Sequence, residues 1–204
     1  MLEIGTKIEG ATEYLEDRLA VVELGEATVF VVADGSGGMA DADKAAEAVV
    51  RAVSSGMVGD PAEPGEWYAL LQHVDKRVFR NPDMGETTAV IVSLVNNQLV
   101  GASVGDSEAW LITAGEWFEL TENQLRKPLV GSGECIPSSF GPHSFIGTLL
   151  VASDGLFHYT RYETVRETAV TSPPEQAVEA LVDLVRLPGG GLQGDVAVIV
   201  ARHG

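Results

Sequence analysis

Residues 31–38, VVADGSGG, run an unbroken apolar stretch directly into an aspartate and a cluster of small residues. Val29 to Val32 read as a strand buried on both faces, because continuous Val and Phe suit a covered pleated surface. Asp34 then stands where that strand ends, a position at which an unpaired carboxylate costs free energy. Gly35, Gly37 and Gly38 allow a sharp turn or a close backbone approach. An ordinary Asp-Gly turn accounts for the stretch as well.

The arrangement recurs along the chain. LLVASDGL (149–156) brings a second apolar run to Asp154-Gly155, Asp195 directly precedes the apolar run of DVAVIVAR (195–202), and Asp106 lies in SVGDSEAW (103–110) between two strand-like stretches. Carboxylates at strand ends with few bases nearby are either separate turn residues or a converging set. If they converge, repulsion raises their pKa values and a hard divalent cation is the natural remedy.

Around these points the hydrophobic period alternates between strand and helix. Leu19–Leu24 and Ala27–Ala33, separated by Gly25 neighbouring Glu26, predict a hairpin. Asp41–Ser55 predicts a helix with Ala45, Ala46, Val49, Val50 and Val53 on one face, and a second helix starts at Pro64 and stops before Asn81 and Pro82. Thr87–Val95, Gln98–Val104, Glu108–Thr113 and Glu116–Leu120 predict a meander, and Thr121–Ser144, rich in Gly, Ser and Pro, an irregular surface segment. Ile146–Ser153 reads as a buried strand, Pro174–Leu187 as an amphipathic helix, and Val196–Ala201 as the last strand.

The 204 residues suffice for one sizeable core, so a single domain over 1–204 is expected. The net charge of −17, from 30 acids against 13 Lys and Arg, opposes binding to nucleic acid or anionic lipid and suits a basic protein partner or divalent cations. A single cysteine, Cys135, precludes an internal disulfide and fits a reducing cytoplasm. The acidic N-terminus lacks the basic and apolar regions of a signal peptide, and no apolar run approaches the roughly 20 residues of a membrane helix, so a cytoplasmic protein is expected.

The order of these segments resembles the metal-dependent, type 2C serine/threonine protein phosphatases. VVADGSGGMADADKAAEAV is similar to that family's Asp-Gly segment and following helix, and MGETTAVIVSLVNNQLVGASVGDSEAWLI to its Thr-Thr and Gly-Asp-Ser hairpin. LLVASDGLF resembles its Ser-Asp-Gly segment, GDVAVIVARH its final aspartate and strand, and EYLEDRLAV its N-terminal Glu-Asp pair. The resemblance implies an α+β fold, a four-layer αββα sandwich of two antiparallel sheets flanked by helices. It also implies a binuclear Mg2+ or Mn2+ site at one end. Asp34 would bridge two ions, Asp154 and Asp195 would complete one, and Glu16, of the pair Glu16-Asp17, with the Gly35 carbonyl would serve the other. A third ion would fall to Asp106 and Asp154 with His158, which replaces the usual aspartate; a structural cap after the Ser-Asp-Gly segment is an equal reading of His158. The implied activity is hydrolysis of phosphoserine or phosphothreonine on a partner protein by water activated between the metals, without a phosphoenzyme.

Departures from the pattern bear on that activity. The arginine that grips the phosphate in the family is Thr12 here, and Arg18, two residues beyond Glu16 on an expected strand, is the candidate substitute. Ser36 stands where some members carry a histidine, and Val196 replaces the usual asparagine after the last aspartate. The segment 121–144 is shorter than the family's flap, as in bacterial regulatory phosphatases that act on dedicated small protein partners. The alternative reading is a catalytically weak or inactive sensor or binding domain on the same fold.

Overall fold

The protein is described here by a computed structural model covering residues 1–36 and 41–204; the turn expected at Gly37 and Gly38 lies outside the described residues. Two antiparallel five-stranded sheets stack face to face. The first contains β1 (Leu2–Glu9), β6 (Glu108–Ile112), β7 (Trp117–Glu119), β9 (Thr148–Ala152) and β10 (Val196–His203), in the order β1-β10-β9-β6-β7. The second contains β2 (Arg18–Leu24), β3 (Ala27–Ala33), β4 (Ala89–Val95), β5 (Gln98–Val104) and β8 (Ser138–Ser144), in that order. Helices α1 (Ala42–Ser54) and α2 (Pro64–Phe79) cover the second sheet. The short α3 (Asp154–Phe157), α4 (Tyr162–Thr171) and α5 (Pro174–Leu184) cover the first. The expected α+β, αββα sandwich is observed.

Strand periodicity explains the layering, since successive side chains point to opposite faces. On β3, Val29, Val31 and Ala33 pack under α1 and α2, whereas Phe30 and Val32 enter the layer between the sheets. On β10, Val196, Val198 and Val200 face the helices while Ala197, Ile199 and Ala201 face the opposing sheet. Both faces of these central strands are covered, which is why they read as continuous apolar runs.

Two strands depart from the sequence expectation. β1 pairs with β10 along its whole length, from Leu2↔His203 to Glu9↔Val196; its signal is the alternation of Leu2, Ile4 and Ile8 toward the inter-sheet core with polar residues between. β8 lies inside the segment expected to be irregular. It is a largely exposed edge strand held by the backbone of β5, so it needs no apolar face, and its Pro142 is the kind of residue edges tolerate. No helix among the described residues is long and apolar enough to cross a membrane.

The remainder of the segment after β7 is tied down by a buried acid of α2. Asp75, 2% exposed, accepts hydrogen bonds from the backbone N–H groups of Gly131 (2.8 Å), Gly133 (2.9 Å) and Cys135 (3.3 Å). These charge-assisted bonds compensate for the desolvation of the carboxylate. Cys135 is itself buried; burial, with the Asp75 charge adding to it, pushes its thiol up to about 12. Asp75→Ala is expected to cost about 3 kcal/mol by orphaning these donors, read as a lower denaturant midpoint at unchanged slope. Native Cys135 is expected to resist alkylation at pH 8 and to become reactive in that variant. Equal thiol reactivity in the two proteins would contradict the anchor.

Candidate active site

The ends of both sheets open into one cleft of about 410 Å³. Its lining includes Glu16, Asp17, Asp34, Gly35, Asp106, Asp154 and Asp195, so residues from five separate stretches of sequence meet there. Asp34 follows β3, Asp106 lies between β5 and β6, Asp154 opens α3 directly after β9, and Asp195 directly precedes β10. Glu16 and Asp17 come from the crossing that joins β1 in one sheet to β2 in the other.

Local hydrogen bonds fix each approach. The Asp34 N–H donates to Thr88 Oγ1 (3.0 Å), the Thr87 hydroxyl donates to the Asp34 carbonyl (2.8 Å), and the Thr88 and Ser107 hydroxyls lie 2.7 Å apart. Thr87 also bridges Gly35 to Val130, which carries the turn onward from β3 toward the anchored segment after β7. Asp195 accepts the Ala11 N–H at Oδ1 (2.8 Å) and the Glu16 N–H at Oδ2 (2.7 Å), clamping the crossing over the sheet end. Ser153 and Ala197 exchange two bonds that lock β9's end to β10.

Glycines sit where backbone meets backbone. A Cβ on Gly35 would fall 2.9 Å from the Ala42 carbonyl at the start of α1, and one on Gly155 would collide with the Asp195 carbonyl. Gly35 is therefore required by the close packing of the β3 end beneath α1, and Gly155 by that of α3 against the start of β10.

Two sequence-selected residues lie apart from the lining. Arg18 opens β2, and residues 11–17 are irregular, so the same-face relation to Glu16 expected on a strand does not arise. Its guanidinium donates to the Leu15 and Asp17 carbonyls and pairs with Asp43 (3.1 Å) and Glu47 (3.3 Å), facing a neighbouring groove that shares Thr12, Tyr14 and Glu16 with the cleft. His158 caps α3 through its N–H to the Asp154 carbonyl and is largely exposed, with Nδ1 3.8 Å from Asp154 Oδ2. Conversely, Arg126 and Lys127 line the cleft although sequence reasoning passed over them inside the irregular segment. Their signal was an Arg-Lys pair in a strongly acidic chain.

The cleft is electrostatically strained. Burial raises the Asp34 carboxyl, and the charges of Asp17 and Asp154 raise it further. Asp17, 1% exposed, is also raised by burial, which the Ser153 hydroxyl opposes and the Asp195 charge reinforces. Asp154 and Glu16 shift the same way, burial first in each case and then Asp106 and Asp195 respectively. Asp17 Oδ2 is buried with no hydrogen-bond partner among the described residues. Among the described residues no three His, Cys, Asp or Glu side chains form a ready metal cage. The donor chemistry nonetheless fits hard divalent cations: crowded carboxylate oxygens, one of them buried and orphaned, on a rigid frame.

These shifts fix a pH dependence. Each raised carboxyl holds its proton longer in the folded than in the unfolded chain, so its favourable contribution is present at low pH and is lost as pH rises through its folded value. In chelator, stability is expected to fall as pH rises above about 4, the ordinary carboxylate range, toward the raised values of Asp17 and Asp34. Asp34→Asn is expected to flatten that fall, and millimolar Mn2+ to reverse it in the unaltered protein. Thermal melts from pH 4 to 8 check both, and a chelator-insensitive, pH-flat profile would contradict the crowding.

No protein-family profile matches the chain. The protein phosphatase PhpP of Streptococcus pneumoniae is 26% identical over 127 residues, covering 57% of this chain and 52% of that protein. The chain thus spans about half the length of the curated relatives it matches. Among solved structures, the serine/threonine phosphatase Stp1 from Staphylococcus aureus superposes with a TM-score of 0.82 at 18% identity, covering 100% of this chain and 96% of that one. PppA, a regulatory component of T6SS in Pseudomonas aeruginosa, gives 0.82 at 22% identity over 98% and 97%. The catalytic domain of the serine/threonine protein phosphatase PstP, in complex with two manganese ions, gives 0.78 at 23% over 98% and 97%. Strand order, helical layers and these superpositions agree with the resemblance carried by the motifs: the chain has the fold of the bacterial type 2C serine/threonine protein phosphatases.

Proposed function

We propose that this chain is a divalent-cation-dependent protein phosphatase that hydrolyses phosphoserine or phosphothreonine on a partner protein. The observation that supports it most is the convergence of Glu16, Asp17, Asp34, Asp106, Asp154 and Asp195 on one cleft, with a buried carboxylate oxygen left unpartnered. Asp34, Asp154 and Asp195 would hold one Mg2+ or Mn2+, and Asp34, Glu16 and the Gly35 carbonyl a second. Asp106, Asp154 and His158 are the candidates for a third, His158 needing to turn toward the cleft. Bound cations would supply a water of lowered pKa and neutralise charge on the phosphoryl oxygens.

The chain's own residues provide the rest. The two N–H donors on Asp195 and the Thr87 and Thr88 contacts to Asp34 hold the carboxylates in place before substrate arrives, so little reorganisation is needed during reaction. Asp17 lines the same cleft as Asp34, close enough for its charge to raise the Asp34 carboxyl, and a bound cation would relieve that repulsion. The net charge of −17 suits a partner whose phosphorylated residue is flanked by basic side chains, and a dedicated regulatory partner is the favoured substrate class. A sensor domain that binds phosphoprotein without turnover is separated from this reading by a direct assay.

Hydrolysis of a phosphothreonine peptide and of an aryl phosphate is expected with Mn2+ and not with chelator. Asp34→Ala is expected to lower kcat roughly 10³-fold, the scale of removing one preorganised electrostatic stabiliser, while the protein stays folded. Metal-independent turnover, or an Asp34→Ala protein with near-normal kcat, would overturn the proposal.

A further inference from the structure

Among the described residues, the basic side chains lining the cleft are Arg126 and Lys127. Lys7, Arg18, Lys44, Arg51 and Arg186 each pair with a carboxylate; Arg126 and Lys127 are among the bases that form no ion pair among the described residues, and of those bases they are the two that line the cleft. Leaving two adjacent cations unpaired at an acidic cleft, in a chain of charge −17, keeps their donors available to an incoming anion. Arg126 is near enough to Asp154 and Glu108 for its charge to favour their ionised forms.

The backbone carrying the pair is held on both sides. Upstream, the Leu125 carbonyl accepts the Gly105 N–H (2.9 Å) and Gln124 Nε2 donates to the Ser107 carbonyl (2.7 Å), gripping the turn that presents Asp106. Downstream, Val130 exchanges two backbone bonds with Thr87 (2.9 and 3.1 Å), the residue that holds the Asp34 carbonyl, and Asp75 fixes the following turn. The cations are therefore suspended between the supports of two cleft carboxylates. Position 12, by contrast, offers a hydroxyl already engaged with the Tyr14 backbone in a local turn.

We propose that Arg126 and Lys127 bind the phosphoryl group of the substrate, Arg126 through its planar donor fork and Lys127 as a point charge, and that the anchored segment 124–135 holds them there. Guanidinium matches phosphate bidentately, which a threonine cannot do. The inference rests on the phosphatase reading and adds the group that recognises the anion. It assigns that role to this pair rather than to Arg18, whose donors are already taken up.

The test compares Arg126→Ala/Lys127→Ala, Arg126→Lys and Arg18→Ala in the Mn2+-loaded protein, with a phosphothreonine peptide as substrate and inorganic phosphate as competitive inhibitor. Both side chains are exposed, so the variants should stay folded, which circular dichroism checks. The double variant is expected to raise KM and the phosphate inhibition constant together by about 10- to 100-fold, the range of one charged hydrogen-bond pair. Its kcat should change much less, as for a contact made in both ground and transition states. Arg126→Lys should recover part of the loss, and Arg18→Ala should leave both constants within twofold. Unchanged constants in the double variant, or a rise confined to Arg18→Ala, would overturn the assignment. If the unaltered protein hydrolyses no phosphoester, the phosphatase reading fails separately, and calorimetric titration with inorganic phosphate decides. Binding lost in the double variant supports the pair; binding retained, or absent from the unaltered protein, overturns it.

Discussion

Both oxygens of Asp195 accept backbone N–H groups from the segment that carries the chain from one sheet to the other, and the geometry of the cleft hangs on that clamp. β1 belongs to one sheet and β2 to the other, so residues 10–17 must cross the open end of the sandwich. An irregular crossing presents backbone donors with no ladder partner, and Asp195 satisfies two of them. In doing so it brings Glu16 and Asp17 over the ends of β3 and β9, where Asp34 and Asp154 wait. A carboxylate engaged in this way is structural and a candidate ligand at once.

Much of this was legible in the sequence because burial on two sides leaves a distinctive trace. The apolar runs ending at Asp34 and Asp154, and the run beginning after Asp195, mark central strands, and each acid is conspicuous against them. What was not legible depends on partners far away in the chain. β8 offers a single packed apolar residue, Phe140, and is held mainly by the backbone of β5, and β1 shows only a weak alternation along an edge. Arg18 was assigned by strand periodicity to the face of Glu16, but the strand starts at Arg18 itself, because the Asp195 clamp keeps the preceding residues irregular. Nothing in the sequence singles out Asp75; only the fold brings three backbone donors to it.

The charge distribution has the same two-level character. A net charge of −17 would ordinarily be spread over solvated surface, yet one buried acid, Asp17, and several half-buried ones crowd together at one sheet end. Such crowding reduces the stability of the empty fold and is tolerated where it prepares a binding function. The sandwich supplies the stiffness: with Phe30, Leu149 and Ile199 fully buried between the sheets, the strand ends cannot splay to relieve repulsion.

The pairing of β1 with β10 joins the two most distant parts of the sequence, and the Asp195 clamp lies at the end of that seam. Contacts of such high sequence separation close late, after more local pairings have formed. The hairpins β2–β3 and β4–β5, with their covering helices, can consolidate from neighbouring sequence, but neither carries all the acids that line the cleft. During vectorial synthesis the cleft therefore comes into being only once β10 has been made and inserted between β1 and β9. A nascent or C-terminally nicked chain would lack the strand that joins β1 to β9 and the carboxylate that clamps the crossing between the sheets.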